Sequence, residues 1–428
     1  MSISTRIKLL LSTFCSFFIF SEVNAQSSAS TYSALGIGDF NNSGLTTNRG
    51  MGGLGISFGT GWSVNYMNPA LSTRNTIFNF QAAFNYERIG VSSGETSELA
   101  DGGGLSYVLM SLPINSGKST LGMGINQLTS VNYNLLVSGQ VAGTDFNSLN
   151  RIDGVGGVSE AYLSTGFLVA KNLSLGIHGS YLFGSTIRTN QLSLLDESGN
   201  PIGISSELFQ RFSVSDFAVK GGAHYFFKAG SKNNIHIGAI YQAFGNINGK
   251  EFAKTGNFGE ASRPDGDGEV ISDDVPGSVY VPNRIGFGVS FEKINKFVIG
   301  LEGQYHQLSQ FRSFDGNTEE LGDSFTISLG GQLTPDFGAV DNLFKRTTYR
   351  LGLEYQQTPY ILSSIQVQDI GINFGGSVPI NSLSLTNFAI KLGTRGTTEN
   401  GLIRENYVNF SLGFSLNDNT WFYKRVFE

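Results

Sequence analysis

From residue 76 onward, apolar and polar side chains alternate in short runs. Phe78, Phe80, Ala82, Phe84 and Tyr86 fall on one face of an extended chain, while Asn79, Gln81, Ala83, Asn85 and Glu87 fall on the other. The same period of two returns in residues 173–183, 235–242, 297–306 and 408–417. Further segments near 105–114, 120–128, 159–169, 210–227, 284–291, 324–333, 346–356, 366–379 and 385–393 bring the total to fourteen. A soluble sheet would bury its apolar face, whereas a transmembrane barrel turns that face to lipid.

The connections between these segments alternate in length. Residues 115–119, 170–172, 228–234, 292–296 and 380–384 are short links, with 334–345 a longer member of the same set. Residues 90–103, 129–158, 184–209, 245–283, 307–323, 357–365 and 394–405 are mostly longer and rich in Gly, Ser, Asn and Asp. Short periplasmic turns and long outer loops are the habit of outer-membrane barrels. The pattern therefore predicts an all-β fold: a 14-stranded antiparallel transmembrane β-barrel over residues 76–428, ending in a short C-terminal tail. An even strand count returns both ends to the periplasm.

Composition agrees with that placement. Only 14% of the residues are charged, 12% are aromatic and 56 are glycine, which suits tight turns and crowded interior positions. A net charge of −6 supplies no basic field for nucleic acid. Arg6 and Lys8 flank the start of an apolar run from Ile7 to Phe20, and Val23-Asn24-Ala25 offers small residues for cleavage before Gln26. Residues 1–25 read as an export signal, and the chain as a protein of a Gram-negative outer membrane in contact with its lipid. The single cysteine, Cys15, lies inside that signal, so the mature chain is expected to carry no thiol.

Residues 26–75 have a different texture. Seven glycines between Gly36 and Gly55 are too many for a helix and too irregular for a barrel strand. Trp62, Tyr66 and Met67 nevertheless need something to pack against. The expected placement is a hatch inside the barrel, its gate residues being Arg49, Gly50, Met51, Gly52, Gly53, Asn68, Pro69 and Ala70.

A glycine-rich N-terminal segment, then Asn68-Pro69-Ala70, then at once the first of fourteen strands resembles the long-chain fatty acid transporter (FadL-type) outer-membrane family, including its PorV-like members. The resemblance covers the whole mature chain in plan, with modest motif specificity and a divergent C-terminal ending from Arg404 to Arg425. It implies capture of a hydrophobic or amphipathic solute by outer loops, passage through a lumenal pocket, and exit past the hatch or sideways at a kinked strand. By position, Gly122, Gly124 and Asn126 are the kink candidates. The alternative implied by PorV-like kinship is a shuttle or accessory subunit of a secretion or assembly machine, with an outer-membrane protein complex as partner.

Chemistry along the chain is sparse. Val108, Met110, Leu112, Leu168, Leu182 and Ile240 are the candidate ligand-lining positions, read as apolar residues on inward parity. Glu87, Lys220, Glu302, Arg350, Glu354 and Lys391 share that parity and are expected to neutralise one another. His178, His224, His236 and His306 also face inward, and His224 and His236 flank one short turn. No spacing among them defines a metal site, and Asp265-Gly266-Asp267-Gly268-Glu269 fails the calcium-loop pattern because Val270 stands where glycine is needed. No nucleophile, Walker or dinucleotide motif occurs in its required context, so neither an enzyme nor a cofactor is expected.

Overall fold

The computed structural model describes residues 30–419, apart from residues 95, 315, 317, 318, 340, 341 and 382. The export signal and the ending from Trp421 to Arg425 lie outside the described residues. Fourteen antiparallel strands close into one barrel. In chain order they are β1 (Phe78–Ser93), β2 (Thr96–Asn115), β3 (Ser119–Gln127 and Thr129–Gln140), β4 (Asn147–Ala170), β5 (Leu173–Leu195), β6 (Pro201–Lys228) and β7 (Asn233–Ala243 and Gly245–Asn257). There follow β8 (Gly268–Val281 and Arg284–Lys293), β9 (Phe297–His306), β10 (Ser324–Leu333), β11 (Thr348–Leu362), β12 (Ile365–Pro379), β13 (Leu385–Gly396) and β14 (Ile403–Asp418). β14 closes on β1 in unbroken register from Ile403 opposite Ser93 to Asp418 opposite Phe78. Closure leaves no edge within the bilayer, where an unpaired backbone group costs several kcal/mol.

Side-chain parity follows the sequence pattern on β1: Phe84 and Tyr86 are exposed to the membrane side, whereas Gln81 and Glu87 are buried inside. Several strands run far beyond the reach of the alternation. β4, β5 and β6 span 24, 23 and 28 residues, where about 9–11 cross a bilayer. Much of what reads in sequence as long outer loops, such as 129–158 and 184–209, is therefore hairpin. Out of the membrane neither face of a hairpin needs to be apolar, so the period of two fades although the strands continue.

Strand β3 is interrupted at Leu128, two residues beyond the expected kink at Gly122, Gly124 and Asn126. Those three positions lie within a regular stretch paired to both neighbours. A Cβ on Gly124 would fall 2.5 Å from that of Leu109, so this glycine relieves crowding between strands. Below the interruption β3 pairs with β2 as far as Asn126 opposite Tyr107. Above it β2 keeps β1 as its partner, and β3 keeps only β4. The two strands part there, on the outer side of the barrel.

Lipid-facing depth gives a direct test of the register. Phe84→Arg should lower stability by about 2–4 kcal/mol if its site lies near the midplane, and Tyr86→Arg, nearer the interface, by about 0–1 kcal/mol. Heat-modifiability on gels and urea titration in liposomes measure both.

Candidate functional site

Residues 30–75 fill the lumen and travel round its wall before the chain enters β1. Thr46 meets Tyr107 of β2, whose hydroxyl accepts the Thr46 N–H at 3.2 Å. The buried Arg49 donates to Ser411 Oγ at 3.0 Å and to the Gly44 carbonyl at 3.2 Å. Gly50 lies against β12, Met51 and Gly52 against β10 and β11, and Ile56 against β7. Asn68, Pro69 and Ala70 then lie against β5 and β6. Asn68 also caps the 3-10 turn Pro69–Arg74 by accepting the Ala70 N–H at 3.0 Å. Gly53 approaches Ser43 and Ser328.

The wall makes room for this circuit with glycine. A Cβ on Gly330 would lie 2.0 Å from the Met51 carbonyl oxygen, and one on Gly352 would lie 2.2 Å from the Gly52 nitrogen. Gly238 faces the Ile56 carbonyl in the same manner, whereas Gly222 makes room for the Asn68 side-chain oxygen and the Pro69 ring. Backbone seats on backbone at Gly330, Gly352 and Gly238, and a larger residue there would hold the segment off the wall.

Carboxylates from the wall fix what the glycines admit. Glu302 of β9 accepts the N–H groups of Gly55, Ile56 and Ser57 at 2.8, 2.9 and 2.7 Å, and the Ser57 hydroxyl at 2.7 Å. Hydrogen bonds to a charged group contribute about 1.5–3 kcal/mol each. Glu160 accepts from the Tyr66 hydroxyl, and Lys220 donates to the Tyr66 carbonyl at 2.9 Å with its ammonium 4.0 Å from the Tyr66 ring centre. The expected mutual neutralisation of inward charges holds where Lys391 meets Glu354 at 3.2 Å. Glu302 and Lys220 bind the N-terminal segment instead, while Arg350 donates to Gln332 and Ser377. The alternation reports which way a side chain points, and not what stands opposite it.

Residues 30–41 form the outer part of the segment. Glu405 accepts the Thr31 N–H at 2.7 Å and the Ser30 hydroxyl at 2.8 Å, and Arg395 meets Asp39 at 3.0 Å. Burial, and then the Glu405 carboxylate, push the Tyr32 hydroxyl up to about 12, so it stays protonated as a donor to the Ile403 carbonyl. Asp39 and Phe40 pair antiparallel with Ser130 and Thr129, and Asn41 N–H donates to the Leu128 carbonyl at 2.9 Å. This short pairing occupies the edge of β3 where β2 has left it. Tyr32 and Ile37, with Leu35 and Phe40 packed alongside, join Leu128, Leu182, Val214, Phe244, Ile247, Phe311 and Leu321 in an apolar core inside the outer half of the lumen.

The candidate ligand-lining residues divide. Leu182 lies in that outer core, and Ile240 in a second core with Leu45, Tyr66 and Tyr162. Val108, Met110 and Leu112 point outward, as a correction to the expected parity. Val108 and Met110 line an apolar groove on the lipid side with Ile125, Leu163 and Phe217, while Tyr107, Leu109 and Ser111 take the interior. Both faces of β2 are apolar, so its pattern carries no parity; the ladder to β1 sets it, with Met110 opposite Phe80. Leu168 is exposed near the periplasmic end of β4. All four histidines are buried. His224 Nε2 lies 3.1 Å from His236 Nδ1, and His236 Nε2 lies 3.0 Å from Glu292. Among the described residues no group of three or more potential ligands converges on a metal position.

A polar cavity of about 120 Å³ lies beside residues 39–43 and Arg49, walled by Glu87, Glu354, Asp369, Lys391, Arg395 and Tyr407. This charged cavity lies toward β1 and β11–β14, and the outer apolar core draws on β3–β8 together with Tyr360 and Val367 of β11 and β12, while further buried charges stand at Glu160, Lys220, Arg284 and Glu292 of β4, β6 and β8.

Fold and interior together define an outer-membrane β-barrel of the FadL-type architecture with its N-terminal segment in the lumen. Among solved structures, the CymD monoaromatic hydrocarbon channel superposes with a TM-score of 0.55 at 14% identity, covering 89% of this chain and 99% of that one. A FadL homologue from Pseudomonas aeruginosa gives 0.54 at 14% identity, covering 87% and 98%. The toluene transporter TodX from P. putida gives 0.53 at 16% identity, covering 89% and 99%. No curated protein sequence matches the chain. Residues 6–428 match the BamG family, and the chain belongs to that family.

The glycine seats make a prediction. Gly330→Val should dislodge Met51–Gly53 at a cost of about 1–3 kcal/mol, the range for overpacking, and expose the segment to protease while the barrel stays heat-resistant. Gly221→Val, where a Cβ meets nothing within 4 Å, should leave proteolysis unchanged.

Proposed function

We propose that this barrel passes hydrophobic or amphipathic small molecules, fatty-acid-like in character, across the outer membrane, and that its own N-terminal segment gates the route. The observation that carries this reading is the apolar core in the outer lumen. One side of it is wall, and the other is the separable segment of Tyr32, Leu35, Ile37 and Phe40. That segment sits where β2 and β3 part, so its withdrawal would uncover an apolar surface and a gap in the wall at the same place. Residues 46–75 are seated on glycines and on Glu302, which favours residues 30–41 as the moving part. The fold shared with hydrocarbon channels supports the same reading.

A second reading, a shuttle or accessory subunit of an outer-membrane secretion or assembly machine, is favoured by one observation. The polar cavity beside residues 39–43 is about 120 Å³, well below the roughly 300–1,000 Å³ of small-molecule sites. Purification in mild detergent separates the two. Bound amphiphile supports passage, and a stoichiometric protein partner with no bound amphiphile supports the machine subunit.

The gate itself is testable by cross-linking. Phe40→Cys with Thr129→Cys, at strand-paired positions, should abolish uptake of a labelled fatty acid by outer-membrane vesicles, and reductant should restore it. Uptake unaffected by the oxidised cross-link would sink the gate.

A further inference from the structure

The two ends of the barrel differ in charge. The chain carries a net charge of −6, yet its periplasmic turns are basic. Lys118, Lys171, Lys228, Lys232, Lys293 and Lys296 stand exposed at four successive turns, and Lys345 at the fifth. Among the described residues of those turns Asp336 is the one exposed carboxylate, because Glu292 is turned inward to Arg74 and His236. Within the described residues none of these lysines stands in an ion pair. The compensating acid lies at the opposite end, as in the outer hairpin that carries Asp265, Asp267, Glu269, Asp273 and Asp274. Unpaired like charges on neighbouring turns repel one another, and together they attract an anionic surface over a Debye length of about 8–10 Å.

The middle of this face is aromatic. Trp62 of the N-terminal segment lies in the lumen mouth, its carbonyl accepting from Asn79 Nδ2 at 2.8 Å and from Asn417 Nδ2 at 3.1 Å. The turn between β10 and β11 brings Phe337 over it, with ring centres 5.8 Å apart. Even so, Trp62 and Phe337 keep 37% and 47% of their surface exposed. Lipid headgroups reach the rim of a barrel and not its mouth, so the membrane can neutralise the lysines but leaves these two rings in water. An aromatic centre inside a charged rim is the anatomy of a protein–protein interface.

We infer that the periplasmic face is a docking surface for an acidic periplasmic protein, whose carboxylates meet the turn lysines and whose apolar side chain covers Trp62 and Phe337. Through Trp62 the partner touches the N-terminal segment directly. The inference goes beyond the passage reading and does not depend on it, since a barrel can dock a protein whatever crosses its lumen.

The test is photo-cross-linking in living cells, with p-benzoylphenylalanine in place of Phe337 or of the exposed Ser231, and adducts identified by mass spectrometry. Both positions should give the same protein adduct, and the periplasmic domain of that protein should be acidic. Lys228→Glu combined with Lys293→Glu, both at exposed positions, should lower the adduct yield roughly fivefold or more, as expected where charge complementarity sets the encounter. Glu269→Lys combined with Asp273→Lys, exposed at the outer end, should leave the yield unchanged, and heat-modifiability confirms that each variant has folded. No adduct, an adduct with anionic phospholipid alone, or a protein adduct whose yield ignores the charge reversal overturns the proposal. Fatty-acid uptake absent beside a charge-dependent adduct removes the passage reading and leaves this surface standing, and uptake present without any adduct does the reverse.

Discussion

The interaction on which the rest depends is the backbone pairing that β3 makes after β2 leaves it. A strand at the membrane boundary cannot leave its N–H and C=O groups facing hydrocarbon. At Leu128 the wall loses a partner on one side, and the chain's own Asp39, Phe40 and Asn41 supply one. That contact holds residues 30–41 in the outer lumen, which places Tyr32 and Ile37 in the apolar core and Asp39 beside Arg395. Wall, core and charged cavity meet at one short pairing.

The lower part of the segment is held differently. Residues 46–75 are fixed by close backbone approach at wall glycines and by buried carboxylates that accept whole runs of N–H groups, as Glu302 does. Such contacts are short, directional and buried, so they strengthen one another. The outer part is held by the edge pairing, by Glu405 on Ser30 and Thr31, by the ion pair of Asp39 with Arg395 and by packing in the apolar core, and the inner part by close backbone approach and buried carboxylates.

Charged and apolar surfaces meet the segment at different places in the interior. On the side of β11–β14 and β1, Lys391, Arg395, Asp369, Glu354 and Tyr407 line a small polar cavity. Toward β3–β8, aliphatic and aromatic residues pack against the segment and against Phe311 and Leu321 of an inward loop.

The sequence by itself determined the barrel, its fourteen strands and the inward histidines, because lipid on one side and a lumen on the other impose a period of two that any reader can count. It also marked residues 26–75 as something other than strand. It failed where the period carries no information. β2 is apolar on both faces, so only its register with β1 turned Val108 and Met110 to lipid. The outer hairpins alternate weakly because water bathes both their faces. The kink fell at Leu128, an unremarkable residue, since what breaks the strand is the departure of a neighbour. The seats at Gly330 and Gly352 and the role of Glu302 were beyond reach for the same reason: each is defined by a backbone some 250 to 300 residues away in sequence, and only the closed barrel brings the two together.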